Sequence, residues 1–320
     1  MSSQLDVGII IGEATPLTWD RWKHVCQLID RLGFNSLFRS DHYYNGKQKE
    51  AIDVYLSFVI AAETTSRLRF GPLVTPVTFR EPVNVGRMAQ QLDALSGGRF
   101  ILGLGAGWYP DEHEVYGLDF PAPTERYDRL EEAIALMKEL WYSENGTFEG
   151  NYYNIKGTNS KPHPPPGRPE ILIGGTGPRR TMRIVAEHAH EWNATPMLPA
   201  DYKKSIDALE RHCADVGRDP AEIRRSMLIF ATIGPDERNE DLALQRFLDM
   251  MAPEGSGISL EDAIAAGHGP WRGSVEELLD HVGQLRALGL DEVVFEHFCH
   301  EEDDIPEWIA AEVKPGLEAL

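Results

Sequence analysis

Cysteine is rare in this chain: Cys26, Cys213 and Cys299 are the only three in 320 residues. They are odd in number and far apart, which argues against a disulfide framework and fits reduced thiols in the cytoplasm. No apolar run approaches the ~20 residues that cross a bilayer, so no membrane partner is expected. The opening MSSQLDVGIIIGEATP has no basic lead and only a brief apolar stretch, and it does not read as a signal peptide. Positive charge is scarce as well: 31 Lys and Arg against 51 Asp and Glu give a net charge of −20. That field repels nucleic acid and anionic lipid alike. An anionic ligand must then be held locally, by amides and arginine. H-E-x-x-H, Walker and serine-elbow motifs are absent. His188 and His190 form an H-x-H pair at a helix end, where imidazole suits the dipole better than a metal, and no metal site is expected.

What is present alternates. Short apolar runs predict strands over 5–11, 34–42, 68–76, 99–107, 170–175, 190–196, 224–234 and 291–298. Amphipathic stretches predict helices over 17–33, 51–65, 81–98, 124–141 (Thr124 a plausible N-cap), 179–189, 200–217 and about 239–288. Residues 142–169 break the rhythm with hairpin-like pieces and a proline-rich turn, and read as an insertion on the fold. Eight strands, each followed by helical material, point to a single-domain α/β (β/α)8 TIM barrel spanning 1–320. A doubly wound open sheet also alternates and is the competing architecture. In a barrel the site lies at the carboxyl ends of the strands.

Several segments there carry candidate chemistry. EILIGGTGPRRT (170–181) ends a strand in Gly174, Gly175 and Gly177, with Thr176 among them. Pro178, Arg179, Arg180 and Thr181 follow, and a helix is expected to begin near Pro178. Such a loop is either a phosphate cradle, built of close backbone and helix amides, or a tight strand-to-helix turn with solvated arginines. GLGAGW (103–108) offers Gly105 and Gly107 as bare backbone for a flat ring, or a simple corner turn. It is a poor dinucleotide fingerprint, because Trp108, Tyr109 and Pro110 are expected to turn the chain outward. SDHYY (40–44) places Asp41 and His42 at a strand end, with imidazole suited to proton transfer near neutrality or to a structural hydrogen bond. Trp192 and His297 also fall at predicted strand ends and are candidates for the pocket wall, with Trp108 and Tyr109.

Together these motifs resemble the bacterial-luciferase-like flavin and deazaflavin oxidoreductases, nearest to the branch that uses coenzyme F420. The resemblance rests on SDHYY, on residues 71–117 and 125–141, on EILIGGTGPRRTMRIVAEHAHEWN (170–193) and on 274–295. It implies a barrel with a tricyclic ring over the strand ends. It also implies a non-proline cis peptide at Pro72–Leu73 or the next bond, so that Pro72, Leu73, Val74 and Thr75 support the ring. The glycine loop through Thr181 would then bind the coenzyme phosphate, and Asp41 with His42 would form the acid–histidine pair beside the ring. Sugar-phosphate dehydrogenases of the family carry Trp where this chain has Gly46, and a catalytic Glu where it has Trp108; both departures argue against that substrate class.

The expected function is hydride transfer between F420 and a small organic substrate. An FMN-dependent monooxygenase fed by a separate flavin reductase is the alternative, and a flavin-binding protein without turnover is a third reading. A homodimer is implied by the resemblance.

Overall fold

The computed structural model describes residues 4–12, 17–43, 51–251 and 269–320; Gly46 lies outside them. In chain order the elements are β1 (Asp6–Ile11), α1 (Trp19–Arg31), β2 (Ser36–Arg39), α2 (Val54–Thr64), β3 (Arg69–Pro72), β4 (Thr75–Pro76), α3 (Pro82–Ser96), β5 (Ile101–Gly105), α4 (Pro110–Tyr116), α5 (Pro123–Tyr142), β6 (Gly146–Glu149), β7 (Asn154–Thr158), β8 (Glu170–Gly174), α6 (Thr181–His188), β9 (Glu191–Ala194), α7 (Pro199–Val216), β10 (Arg224–Ala231), α8 (Glu237–Met251), α9 (Val275–Ala287) and β11 (Glu292–His297). Helical turns from Asp304 to Glu318 end the chain.

The main sheet is parallel, in the order β3-β2-β1-β11-β10-β9-β8-β5-β4. Its two outer members, β3 and β4, are halves of one apolar run, separated at the cis peptide Leu73–Val74. Phe70 of β3 also bridges Phe100 in parallel, just ahead of β5. The sheet therefore returns to the run from which it started. Counting that run once leaves eight strands, which makes the architecture a barrel rather than an open doubly wound sheet.

Alternation along the strands sorts side chains into two layers. Ile10, Phe38, Ile101, Leu172 and Val294 fill the barrel interior, with Leu73, Val74 and Leu228 packed on them. The opposite faces join a larger core beneath the helices that includes Trp22, Phe70, Trp141 and Trp192. At the amino ends of the strands the interior is ionic. Arg69 meets Glu191 at 2.8 Å, Glu170 at 3.1 Å and Glu292 at 3.3 Å, and Arg224 meets Glu292 at 3.0 Å. Ser36 donates to Glu292. This buried plug closes one end and leaves the carboxyl ends as the mouth.

One local expectation changes and one holds. α5 begins at Pro123 with Ala122 as N-cap, so Thr124 sits inside the first turn instead of capping it; proline at the first helical position is favoured because its missing amide is not needed there. Residues 142–169 do hold a hairpin: β6 and β7 pair antiparallel. Glu132 of α5 accepts amides from Asn151, Tyr152 and Tyr153 and ties the ribbon tip down.

Candidate active site

β2 stops at Arg39, and the chain that follows reaches the mouth. Asp41 is buried there. Its Oδ2 accepts from Thr75 Oγ1 at 2.7 Å and from Arg80 Nη1 at 2.6 Å. Burial pushes the Tyr55 phenol up, so its O–H donates to Thr75 Oγ1 at 2.9 Å. Asp41 thus fastens the end of β2 to β4.

Among the described residues, Glu112 is a carboxylate that meets His42. Its Oε1 lies 2.7 Å from His42 Nδ1, and its Oε2 accepts the Tyr43 amide at 3.0 Å. Glu112 is 1% exposed. It comes from α4, a helix that opens at Pro110 where the chain was expected to turn outward. Its neighbour His113 anchors that helix: Nδ1 donates to the Tyr109 carbonyl at 2.8 Å, and Nε2 accepts from Thr78 Oγ1 at 2.7 Å. The available signal was a carboxylate in the first turn of a proline-opened helix, where the dipole favours negative charge. It lies one turn beyond Trp108, the position where the sugar-phosphate enzymes carry their Glu.

Trp108 and Tyr109 stand edge-on to His42, with ring centroids 5.7 Å and 6.3 Å away. Trp108 is 57% exposed.

Below this rim the floor is bare. Val74 lies across the glycines of β5 and β8. A Cβ at Gly105 would fall 2.7 Å from Val74 Cγ2, and one at Gly174 3.0 Å from Val74 Cγ1. Gly107, at φ +79°, turns the chain away from β5 toward Trp108. Leu73 is fixed by its amide, which donates to the Arg39 carbonyl at 2.7 Å.

Beyond Gly174 the chain takes a φ of +116° at Gly175, a conformation suited to glycine. α6 starts at Thr181, three residues later than expected. The Met182 amide in the first turn donates to the Gly177 carbonyl at 3.1 Å, and the Gly175 amide donates to the Asn193 carbonyl at 3.1 Å, so both ends of the glycine loop are tied down. Thr181 Oγ1 lies 3.1 Å from Tyr127 Oη. Arg180 is paired through Nη2 with Asp128 at 2.5 Å and Glu131 at 3.4 Å. Arg179 is exposed and has no ion pair among the described residues. Thr176 and Gly177 are partly exposed, and Pro178 is exposed.

Two expected pocket residues lie elsewhere. Trp192 is fully buried in the layer under the helices, stacked on Tyr202 at 5.5 Å, with its Nε1 donating to the Gly175 carbonyl at 2.7 Å. It braces the glycine loop from behind. His297 also faces the outer layer. Its Nε2 donates to the Ile233 carbonyl at 3.0 Å, and its Nδ1 accepts the Cys299 amide at 3.1 Å. Val294 points inward, so the next inward position on β11 is Glu296, which lies against Gly12.

Residues 9–288 match the model of the luciferase-like monooxygenase family. The chain belongs to this family. It is thus a luciferase-like oxidoreductase. It is 26% identical over 313 residues to an F420-dependent hydroxymycolic acid dehydrogenase of Mycobacterium tuberculosis, covering 92% of this chain and 83% of that protein. It is 27% identical over 314 residues to an F420-dependent glucose-6-phosphate dehydrogenase of Microbacterium testaceum, covering 91% of each. An FMNH2-dependent dimethylsulfone monooxygenase of Pseudomonas fluorescens is 25% identical over 340 residues, covering 98% of this chain and 92% of that protein. Among solved structures, an F420-dependent secondary alcohol dehydrogenase superposes with a TM-score of 0.81 at 18% identity, covering 98% of this chain and 99% of that one. A long-chain alkane monooxygenase superposes with a TM-score of 0.79 at 16% identity, covering 100% and 92%. These superpositions establish the shared barrel. Among the described residues of this luciferase-like chain, no helix is long and apolar enough to cross a membrane.

Proposed function

We propose that this luciferase-like chain uses coenzyme F420 and moves a hydride between that deazaflavin and a small organic substrate. The observation that carries the reading is the bare floor of Val74, Gly105 and Gly174 beside the buried His42–Glu112 pair. Side chains at either glycine would collide with Val74, so the ends of β5 and β8 stay clear for a flat ring. Leu73, Val74 and Thr75 would support that ring. Gly174–Gly177, Arg179 and the first turn of α6 would take its phosphate, because a bare glycine backbone and the dipole of a helix N-terminus favour an anion.

When bound, the coenzyme supplies the hydride chemistry. The chain's residues do the rest. His42 takes or gives a proton. Trp108 and Tyr109 screen its ring. Asp41 acts at a distance, through Thr75 and Arg80, by fixing the chain from which His42 hangs.

Relatives named as F420-dependent support this reading, and the dimethylsulfone monooxygenase supports the FMN alternative with a separate reductase. Titrating purified protein with F420 and with reduced FMN, by fluorescence, tests it. Saturable binding of F420 is expected. Binding of reduced FMN alone, with oxygen consumed on turnover, would replace this reading with the monooxygenase. Light scattering on the same sample checks the homodimer.

A further inference from the structure

We infer that Trp192 and His212 are positioning residues of the glycine loop: each holds a loop carbonyl from the helix-layer side, and so turns the amide that follows it toward the anion. The inference rests on the phosphate role proposed for this loop. The indole Nε1 of Trp192 donates to the Gly175 carbonyl at 2.7 Å, and Nε2 of His212 lies 3.1 Å from the Pro178 carbonyl. A carbonyl oxygen only accepts, so the histidine nitrogen is the donor there. A trans peptide is planar, and its C=O points opposite to the N–H of the next residue. Neither the 175–176 nor the 178–179 bond is cis. The Thr176 amide is therefore directed away from Trp192, and the Arg179 amide away from His212. Among the described residues neither amide has a hydrogen-bond partner.

Both holders are themselves fixed. Trp192 is fully buried on β9, and its ring lies flat on that of Tyr202, with 7° between the planes. Tyr202 belongs to α7, the helix that also carries the half-buried His212. The Gly177 carbonyl is occupied as well, by the Met182 amide. The carbonyls of Gly175, Gly177 and Pro178 are thus all engaged by the protein, and the oxygens that would repel an anion are satisfied elsewhere. A Cβ at Gly177 would fall 2.9 Å from Thr181 Oγ1 and 3.5 Å from Tyr127 Oη, so two hydroxyls stand beside the bare backbone. Backbone amides turned to one side, with the start of α6 behind them, attract an anion without a dedicated cation. In a chain with a net charge of −20, such a site has to be set by local geometry.

Ligand pairs that differ in the phosphate read this directly. F420 and its phosphate-free deazaflavin riboside form one pair, and FMN and riboflavin the other. Each is titrated by fluorescence into the full-length protein. The wild type is expected to prefer the phosphorylated member. Trp192→Phe keeps an aromatic ring on Tyr202 but has no N–H, and His212→Ala removes the other holder. In each variant the preference should shrink by ~3–10-fold, the weight of one hydrogen bond, while affinity for the phosphate-free member stays within about twofold. A merely structural role would weaken both members alike. Equal loss for both members, or an unchanged preference in a folded variant, overturns the inference. His212→Ala decides the matter if Trp192→Phe fails to fold. A wild type that prefers neither phosphorylated ligand overturns it too. The proposed coenzyme fails separately: a preference for FMN over riboflavin with no binding of F420 would replace the coenzyme, and loss of that preference in the variants would leave the positioning role standing.

Discussion

Nδ1 of His42 and Oε1 of Glu112 lie 2.7 Å apart, although 70 positions separate the two residues in the chain. One comes from the end of β2 and the other from a seven-residue helix after β5. Their meeting makes His42 the group on which turnover should depend. In His42→Ala, turnover is expected to fall by ~100-fold or more, the usual weight of a positioned acid–base group. Coenzyme affinity should change by less than about threefold, since the coenzyme is held by other residues. Steady-state kinetics with fluorescence titration check both numbers, and full activity would remove the proton-transfer role.

The floor gives a steric prediction. In Gly105→Val the added Cβ would sit 2.7 Å from Val74 Cγ2, too close for either side chain to stay in place. Overpacking of this kind costs about 1–3 kcal/mol. Binding of F420 should weaken at least ~10-fold, because displaced methyl groups enter the space the ring needs. A variant that melts normally and binds normally would show that no ring lies there.

The two arginines of the glycine loop should part company. Arg179 is exposed and has no ion pair among the described residues, whereas Arg180 is held by Asp128 and Glu131. Arg179→Ala is expected to weaken coenzyme binding by ~3–10-fold and to flatten its salt dependence. Arg180→Ala should leave the salt dependence nearly intact and shift stability by no more than ~1 kcal/mol, since its ion pairs are partly solvated. Titrations at low and high salt distinguish the two, and equal effects would contradict the pairing.

Acid should destabilise the fold over a defined window. Burial lowers His297 and His188 from 6.5 to about 4, and it also lowers buried His300. These rings are neutral in the folded state, while the unfolded chain takes up protons below 6.5. Their contribution is therefore complete above about pH 6.5 and is lost as pH falls toward 4. The loss is on the order of a few kcal/mol per ring. Thermal melts at pH 7.5, 6 and 4.5 should show a falling midpoint, smaller in a folded His297→Asn. A flat profile over that range would refute the burial argument.

The ionic plug predicts a different fragility. Arg69→Met leaves Glu191 and Glu292 buried with one fewer cation. Removing one partner from such a cluster costs ~3–5 kcal/mol. Denaturant unfolding should show that loss, and the midpoint should recover partly when Glu191→Gln is added.

The order of strands and helices was legible in the sequence because apolar period is a local property. Apolar runs of about 4–8 residues bounded by turn signals mark buried strands, and stripes over about 11–18 residues mark amphipathic helices. The hairpin in 142–169 and the glycine loop at 174–177 were legible for the same reason, since turn chemistry is also local. The cis peptide came from the resemblance, as a choice between two bonds, and it falls on the second.

Which way each residue faces was decided by tertiary structure. Along a strand the side chain changes face at every step, so a shift of one position moves a residue from the mouth to the helix layer. That is why Trp192 and His297, chosen as strand ends, lie behind the barrel wall, while Glu296 faces inward. The same holds for partners. Nothing near Arg180 announces Asp128 and Glu131 on another helix, and nothing near His42 announces Glu112. Burial leaves polar groups no water to bond with, so they take the partners that chain closure brings within reach, and that choice is made only when distant segments pack together.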